Sequence, residues 1–181
     1  MCSSDLLDRR MGDGPVTVID THAGAGVYDL SGDAARSREA ETGILRLMAS
    51  GDRPPLIEAL AGAVAGLNPH GGANLYPGSP LLVAQRLRRD DRYIGFELNP
   101  PVLDLLVQAL APFPQATGRG GDGYDQARAE AGRAPGAFVL IDPPFERPDD
   151  YLRAADTAAA IVRGEDRKST RLNSRHVLIS Y

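Results

Sequence analysis

The stretch VLIDPPFE, residues 139–146, runs from apolar residues straight into Asp142, Pro143, Pro144 and Phe145. An amino group on an aromatic base is a poor nucleophile because its lone pair is delocalised into the ring. A carboxylate and a backbone carbonyl, each accepting one of its two hydrogens, pull the nitrogen towards tetrahedral geometry and free that pair. Asp142 can supply the carboxylate and Pro143 the carbonyl. The prolines fix φ and demand no hydrogen bond of their own, so both acceptors are held ready. Phe145 can stack on a base turned out of its helix, worth about 1 to 3 kcal/mol. The chemistry implied is an in-line displacement assisted by positioning, with no metal. A rigid Asp-Pro turn with a core phenylalanine is the plain structural alternative.

Three other segments place acids and glycines where strands should end. Asp20 is followed by Gly24 and Gly26, RYIGFE ends in Glu97, and Asp122-Gly123 precedes a helical stretch. Glycines let a backbone approach a ligand, and an acid ending the second strand can accept both hydroxyls of a ribose. GAGVYD is not a dinucleotide fingerprint, since Asp29 stands where the third glycine belongs. With Glu97, Asp122 and the Asp-Pro-Pro-Phe turn, the set fits S-adenosylmethionine (SAM) better than a pyrophosphate.

These residues need strands to carry them and helices to cover the strands. VTVID (16–20), RYIGFE (92–97) and AFVLID (137–142) are apolar without alternation, as in parallel strands buried on both faces. EAETGILRLMAS, PPLIEALAGAVAGLN, PVLDLLVQALAPF and DDYLRAADTAAAIVR have helical spacing. In NLYPGSPLLVAQ, Ser79 is an expected N-cap and Pro80 opens the helix. ATGRGGDGYDQARAEAG reads as a loop opening into another helix. Strands alternating with helices predict an α/β fold with a Rossmann-like parallel sheet. Glu97 lies 71 residues after Gly26 against about 20 in a plain nucleotide-binding unit, so residues from about 30 to 90 form a helical insertion.

The 181 residues carry a formal charge of -4, one cysteine and no apolar run long enough for a bilayer. This predicts one soluble cytoplasmic domain without a disulfide framework, expected to be monomeric. The ends read differently. Asp166–Ser174, DRKSTRLNS, matches a translated sequencing adapter, and CSSDL near the start matches the other adapter end. Residues 1–13 are therefore taken as a non-native or truncated start, 14–165 as the functional domain and 166–181 as an adapter-derived tail. Setting aside the tail's net +3 (Arg167, Lys168, Arg171 and Arg175 against Asp166) and Asp5 leaves a body of -6. The basic tail is then no argument for nucleic-acid binding.

VIDTHAGAGVYDLSG, YPGSPLL, FELNP, DGY and LIDPPFE, in this order, resemble the RlmJ-type 23S ribosomal RNA adenine-N6 methyltransferases over nearly all of residues 15–163. The Asp-Pro-Pro-Phe element is shared by many amino-methyltransferases; DTHAGAG followed by YPGSP is much more specific. The resemblance implies a class I SAM-dependent fold and methyl transfer to the N6 amino group of an adenine in 23S ribosomal RNA, with protein-free RNA as partner. By matching position it implies that His22, Ser79, Glu97 and Asp122-Gly123 contact SAM beside Gly24 and Gly26, and that Asp142 is the catalytic acceptor and also a cofactor-binding residue. Tyr76 and Pro77 are expected to pack.

Two departures stand out. Asn99 occupies a position where the family has histidine. Nothing before Gly14 matches the family's opening Tyr/His stretch, and its later strands are missing beyond about Arg163, so the chain is expected to be an internal fragment with a truncated sheet and weak activity. A DNA adenine-N6 methyltransferase and an inactive SAM- or nucleotide-binding fragment are the rival expectations. Arg36, Arg38, Arg46 and the run Arg86–Arg92 are the candidate RNA contacts.

Overall fold

A computed structural model of the protein describes residues 14–31, 43, 46–51, 53–134, 136–164 and 176–179. The expected start over residues 1–13, most of the helix over EAETGIL, and Arg36 and Arg38 lie outside the described residues.

Five parallel strands form the main sheet: β1 (Thr17–Asp20), β4 (Arg92–Glu97), β5 (Ala116–Gly120), β6 (Phe138–Ile141) and β7 (His176–Ile179). Their order is β5-β4-β1-β6-β7. The chain thus steps outward from β1 to β4 and β5, then returns to the other side of β1, the doubly wound pattern.

Side chains alternate across the strands and define two buried layers. Ile19, Ile94, Phe96, Val139 and Ile141 face the helices α5 (Gly123–Arg133) and α6 (Asp150–Arg163) through Tyr124, Ala127, Ala131, Ala154 and Ile161. Val18, Tyr93, Phe138 and Leu140 face α3 (Ser79–Ala84) and α4 (Pro100–Leu110) through Val83, Leu106 and Leu110. Burial on both faces explains why β1, β4 and β6 lack polar alternation. Buried Asp91 ties the start of β1 to the turn before β4: its carboxylate accepts from the Val16 N–H at 2.8 Å and from Arg88 Nε at 2.9 Å. Arg88, in the run considered for RNA contact, is turned onto this acid.

The insertion holds α1 (Arg46–Ala49), α2 (Pro55–Leu67) and α3. It is not wholly helical, because β3 (Leu75–Pro77) pairs antiparallel with β2 (Val27–Asp29). Asn68 locks α2 to this ribbon, donating to the Val64 and Leu75 carbonyls and accepting from the Leu75 N–H at 3.0 Å.

Two expectations need correction. ATGRG is a strand, not a loop, and closes one edge of the sheet as β5. Ser79 does not cap α3: Gly78 occupies the N-cap, and Ser79 Oγ donates instead to Asp20 Oδ2 at 3.0 Å. Residues 176–179 pair along β6, with Val177 and Ile179 against one core layer and Leu178 against the other.

Candidate active site

The carboxyl ends of β1, β4, β5 and β6 converge on one cleft of about 810 Å³. Residues 142–149 leave β6 without regular structure before α6 begins. Asp142, Pro143, His22, Gly24, Ser79, Glu97, Asp122 and Gly123 all line the cleft. Asp142 is exposed to it while Pro143 is buried.

Two sequence-predicted residues sit elsewhere. Gly26 (φ +77°) packs under α4, where an added Cβ would lie 2.9 Å from the Ala109 Cβ, and its carbonyl accepts from the Gly78 N–H at 2.8 Å. It therefore joins two loops of the site without facing the cleft. Phe145, with φ +54°, is turned onto Tyr151 with ring centroids 4.4 Å apart and does not line the cleft.

Glu97 fixes the glycine loop. Its Oε2 accepts from the Gly24 N–H at 3.1 Å and its Oε1 from the Asn99 N–H at 2.8 Å. Tyr28, projecting from β2, lays its ring against Gly24 and Gly78, where a Cβ would come within 2.0 Å of its hydroxyl and 2.9 Å of its ring respectively. Gly24, with φ +66°, is therefore demanded by turn geometry as well as by close approach, Gly78, with φ -75°, by close approach alone, and Tyr28 forms a wall of the cleft.

Asp122 Oδ1 accepts from the Tyr124 N–H at 3.0 Å, capping α5, and Oδ2 accepts from Arg153 Nη2 at 2.7 Å. Burial raises its carboxyl, but hydrogen bonding and charge from Arg153 and backbone donors from Tyr124 and Asp125 outweigh this and hold it below the usual aspartate value. The Arg153 guanidinium lies 4.3 Å from the Tyr124 ring centroid, and the His22 ring meets that tyrosine edge-on at 4.7 Å. Burial lowers the His22 pKa against the opposing pull of Asp150, Asp122, Glu97 and Asp142. Tyr124 is pushed up to about 12 by burial and by Asp150, whose Oδ1 lies 3.3 Å from its hydroxyl.

Beneath the cleft, fully buried Asp20 accepts from Ser79 Oγ and from the Tyr93 hydroxyl, each at 3.0 Å, and from the His22 N–H at 3.2 Å. Burial dominates these bonds and raises its carboxyl to about 6. Sequence reasoning placed Asp20 at a strand end but missed Tyr28, Tyr93, Asp150 and Arg153. Tyr93 was discoverable as the one polar side chain inside an otherwise apolar strand; Arg153, on a later helix, carried no local signal. Among the described residues no group of His, Cys, Asp and Glu could hold a metal ion.

Comparisons with known proteins agree with this architecture. The family profile described as Ribosomal RNA large subunit methyltransferase D, RlmJ, matches residues 13–172. Ribosomal RNA large subunit methyltransferase J of Escherichia coli K12 is 36% identical over 141 residues, 77% of this chain and 50% of that protein. The protein of the same name from Haemophilus influenzae is 36% identical over 137 residues, 74% of this chain and 48% of its own. The chain spans about half the length of these relatives. The crystal structure of protein LPL1258 from Legionella pneumophila, 24% identical, superposes with a TM-score of 0.75 over 88% of this chain and 59% of that one, which supports the fold. Motifs, fold and family profile concur: the chain belongs to the RlmJ family of ribosomal RNA large subunit methyltransferases.

Proposed function

We propose that the cleft binds SAM and that Asp142 and the Pro143 carbonyl orient an adenine N6 amino group of 23S ribosomal RNA for methylation. The carrying observation is the convergence of Asp142 with Gly24, Glu97 and Asp122 around one cavity. Its chemistry suits a cation rich in hydroxyl and amino donors, because carboxylates stand at three strand ends. Two relatives are named as ribosomal RNA methyltransferases, which favours RNA as the substrate class.

In this reading Glu97, ending the strand next to β1, takes the ribose hydroxyls, and Asp122, one strand further out, takes the adenine end. When bound, SAM supplies a methyl group on a sulfonium that departs as a neutral thioether. Asp142 accepts one N6 hydrogen and the Pro143 carbonyl the other, turning the nitrogen lone pair towards the methyl carbon. As the N–C bond forms, the surplus proton leaves through the hydrogen bond to Asp142.

The test uses labelled SAM with deproteinised 23S RNA and with DNA of the same sequence. Transfer to RNA by the unaltered chain should fall at least about a hundredfold in Asp142→Ala, as for loss of a group acting in the transition state. SAM affinity measured by calorimetry should stay within about threefold. Equal transfer by both proteins sinks the assignment of Asp142; preference for DNA sinks the substrate.

A further inference from the structure

Arg153 stands outside the mechanism just described, yet it touches two cleft residues at once and comes from a helix that the catalytic turn leads into. Its Nη2 donates to Asp122 Oδ2 at 2.7 Å, and its guanidinium lies over the Tyr124 ring at 4.3 Å. The two contacts restrain different things. The ring holds the guanidinium in place, and the guanidinium holds one oxygen of the Asp122 carboxylate, whose other oxygen is already held by the Tyr124 N–H at 3.0 Å.

An Asp that only capped α5 would keep freedom about its terminal torsion, which is broad for this side chain. Clamped from both sides, Asp122 can offer its remaining lone pairs in one direction only. Tyr124 closes the circuit, since its hydroxyl lies 3.3 Å from Oδ1 of Asp150, the first residue of α6. Asp142 is joined to that same helix end through residues 143–149.

We propose that Arg153 is a positioning residue that aims Asp122 at the exocyclic amino group of the cofactor's purine, and so sets selectivity for adenine at that end of the cleft. The proposal rests on the assignment of the cleft to SAM. A directed carboxylate accepts from an amino group and is repelled by a carbonyl in the same place, so adenine is favoured over hypoxanthine. Against the opposing effect of burial, the same contact helps to hold the Asp122 carboxyl below the usual aspartate value. A merely structural role would behave differently: the pair is about a third exposed on each side, and such pairs contribute about 0 to 1 kcal/mol to stability with no bearing on which purine binds.

The experiment titrates S-adenosylhomocysteine and its inosine counterpart into the full chain by calorimetry, for the unaltered protein, Arg153→Met and Arg153→Lys, with thermal unfolding of each. Met keeps the length of the side chain without charge or donors, and Lys restores the charge without the planar fork. The unaltered protein should prefer adenine strongly. Arg153→Met should lose about tenfold of that preference, a change of about 1.4 kcal/mol in relative binding, with Arg153→Lys in between and all three unfolding cooperatively. An unchanged ratio in both folded variants would overturn the proposal. Failure of the unaltered protein to bind either nucleoside would overturn the SAM assignment itself, and this inference with it.

Discussion

Asp20 shows how one residue can serve the site at a cost to the fold. It has no solvent exposure, and the three donors around it only partly offset the loss of water, leaving its carboxyl at about 6 against an ordinary value of 3.8. The folded state therefore binds a proton more tightly than the unfolded chain does. Stability from this group is fully present below about pH 4 and is lost as pH rises through about 6. A shift of about 2 units corresponds to about 3 kcal/mol. Asp20→Asn does not titrate, so its stability minus that of the unaltered protein should rise by about 2 kcal/mol between pH 4 and pH 7 in urea unfolding. A difference that stays flat with pH would mean that Asp20 is not buried as an isolated acid. Ser79 shares in this: its hydroxyl bonds Asp20 while the residue lines the cleft, so ionisation of Asp20 also changes the floor on which a ligand rests.

At the scale of elements, two glycines with opposite surroundings separate helix propensity from packing. Gly62 lies exposed inside α2, and an added Cβ there meets nothing within 4 Å. Gly62→Ala should stabilise by about 0.5 to 1 kcal/mol through the unfolded chain's lost freedom. Gly123 opens α5 directly on the Thr21 backbone, where a Cβ would come within 1.8 Å of the carbonyl oxygen. Gly123→Ala must push the helix start away from β1 and should destabilise by more than about 2 kcal/mol, read as a lower urea midpoint; equal midpoints for the two variants would contradict this packing. The same contrast shows what the sequence could reveal. β1, β4 and β6 announce themselves because both faces are buried, whereas β5 is an edge strand whose glycines answer to tertiary contacts. A Cβ added at Gly118 would lie 3.1 Å from the Leu106 side chain of α4, and nothing local in ATGRG encodes that neighbour. β2 and β3 are three residues each and exist through pairing across the insertion. The acids at strand ends were legible one by one, because strand and turn signals mark them. Their partners were not: Arg153 and Asp122 are 31 residues apart and meet only once α5 and α6 pack.

For the whole molecule, strand order decides how a ligand lies. The cleft residues follow β5, β4, β1 and β6 in turn, so Asp122 and Asp142 stand three strand spacings apart, about 14 Å at the usual separation. On the proposed assignment, an adenosyl compound laid along this edge would have its purine near Asp122 and its reactive end near the β1–β6 switch, beside Asp142. That arrangement concentrates charge. Among the described residues Glu97, Asp122, Asp142, Glu146 and Asp150 line the cleft against Arg147 and Arg153, and burial disfavours the charged form of His22. SAM carries a positive charge that S-adenosylhomocysteine lacks, so the surplus of carboxylates should favour the donor and help expel the product. Each unit charge at about 8 Å contributes about 0.5 kcal/mol in water-like surroundings, and a net surplus of about three makes roughly 1.5 kcal/mol. Raising salt from about 0.02 M to about 0.5 M shortens the screening length from more than 20 Å to about 4 Å. The affinity ratio of SAM to S-adenosylhomocysteine should therefore shrink about fivefold over that range. Because the two compounds share every other group, calorimetry of both at each salt concentration isolates the sulfonium charge. A ratio that does not move with salt would show that the carboxylates lie too far from the sulfur to act on it.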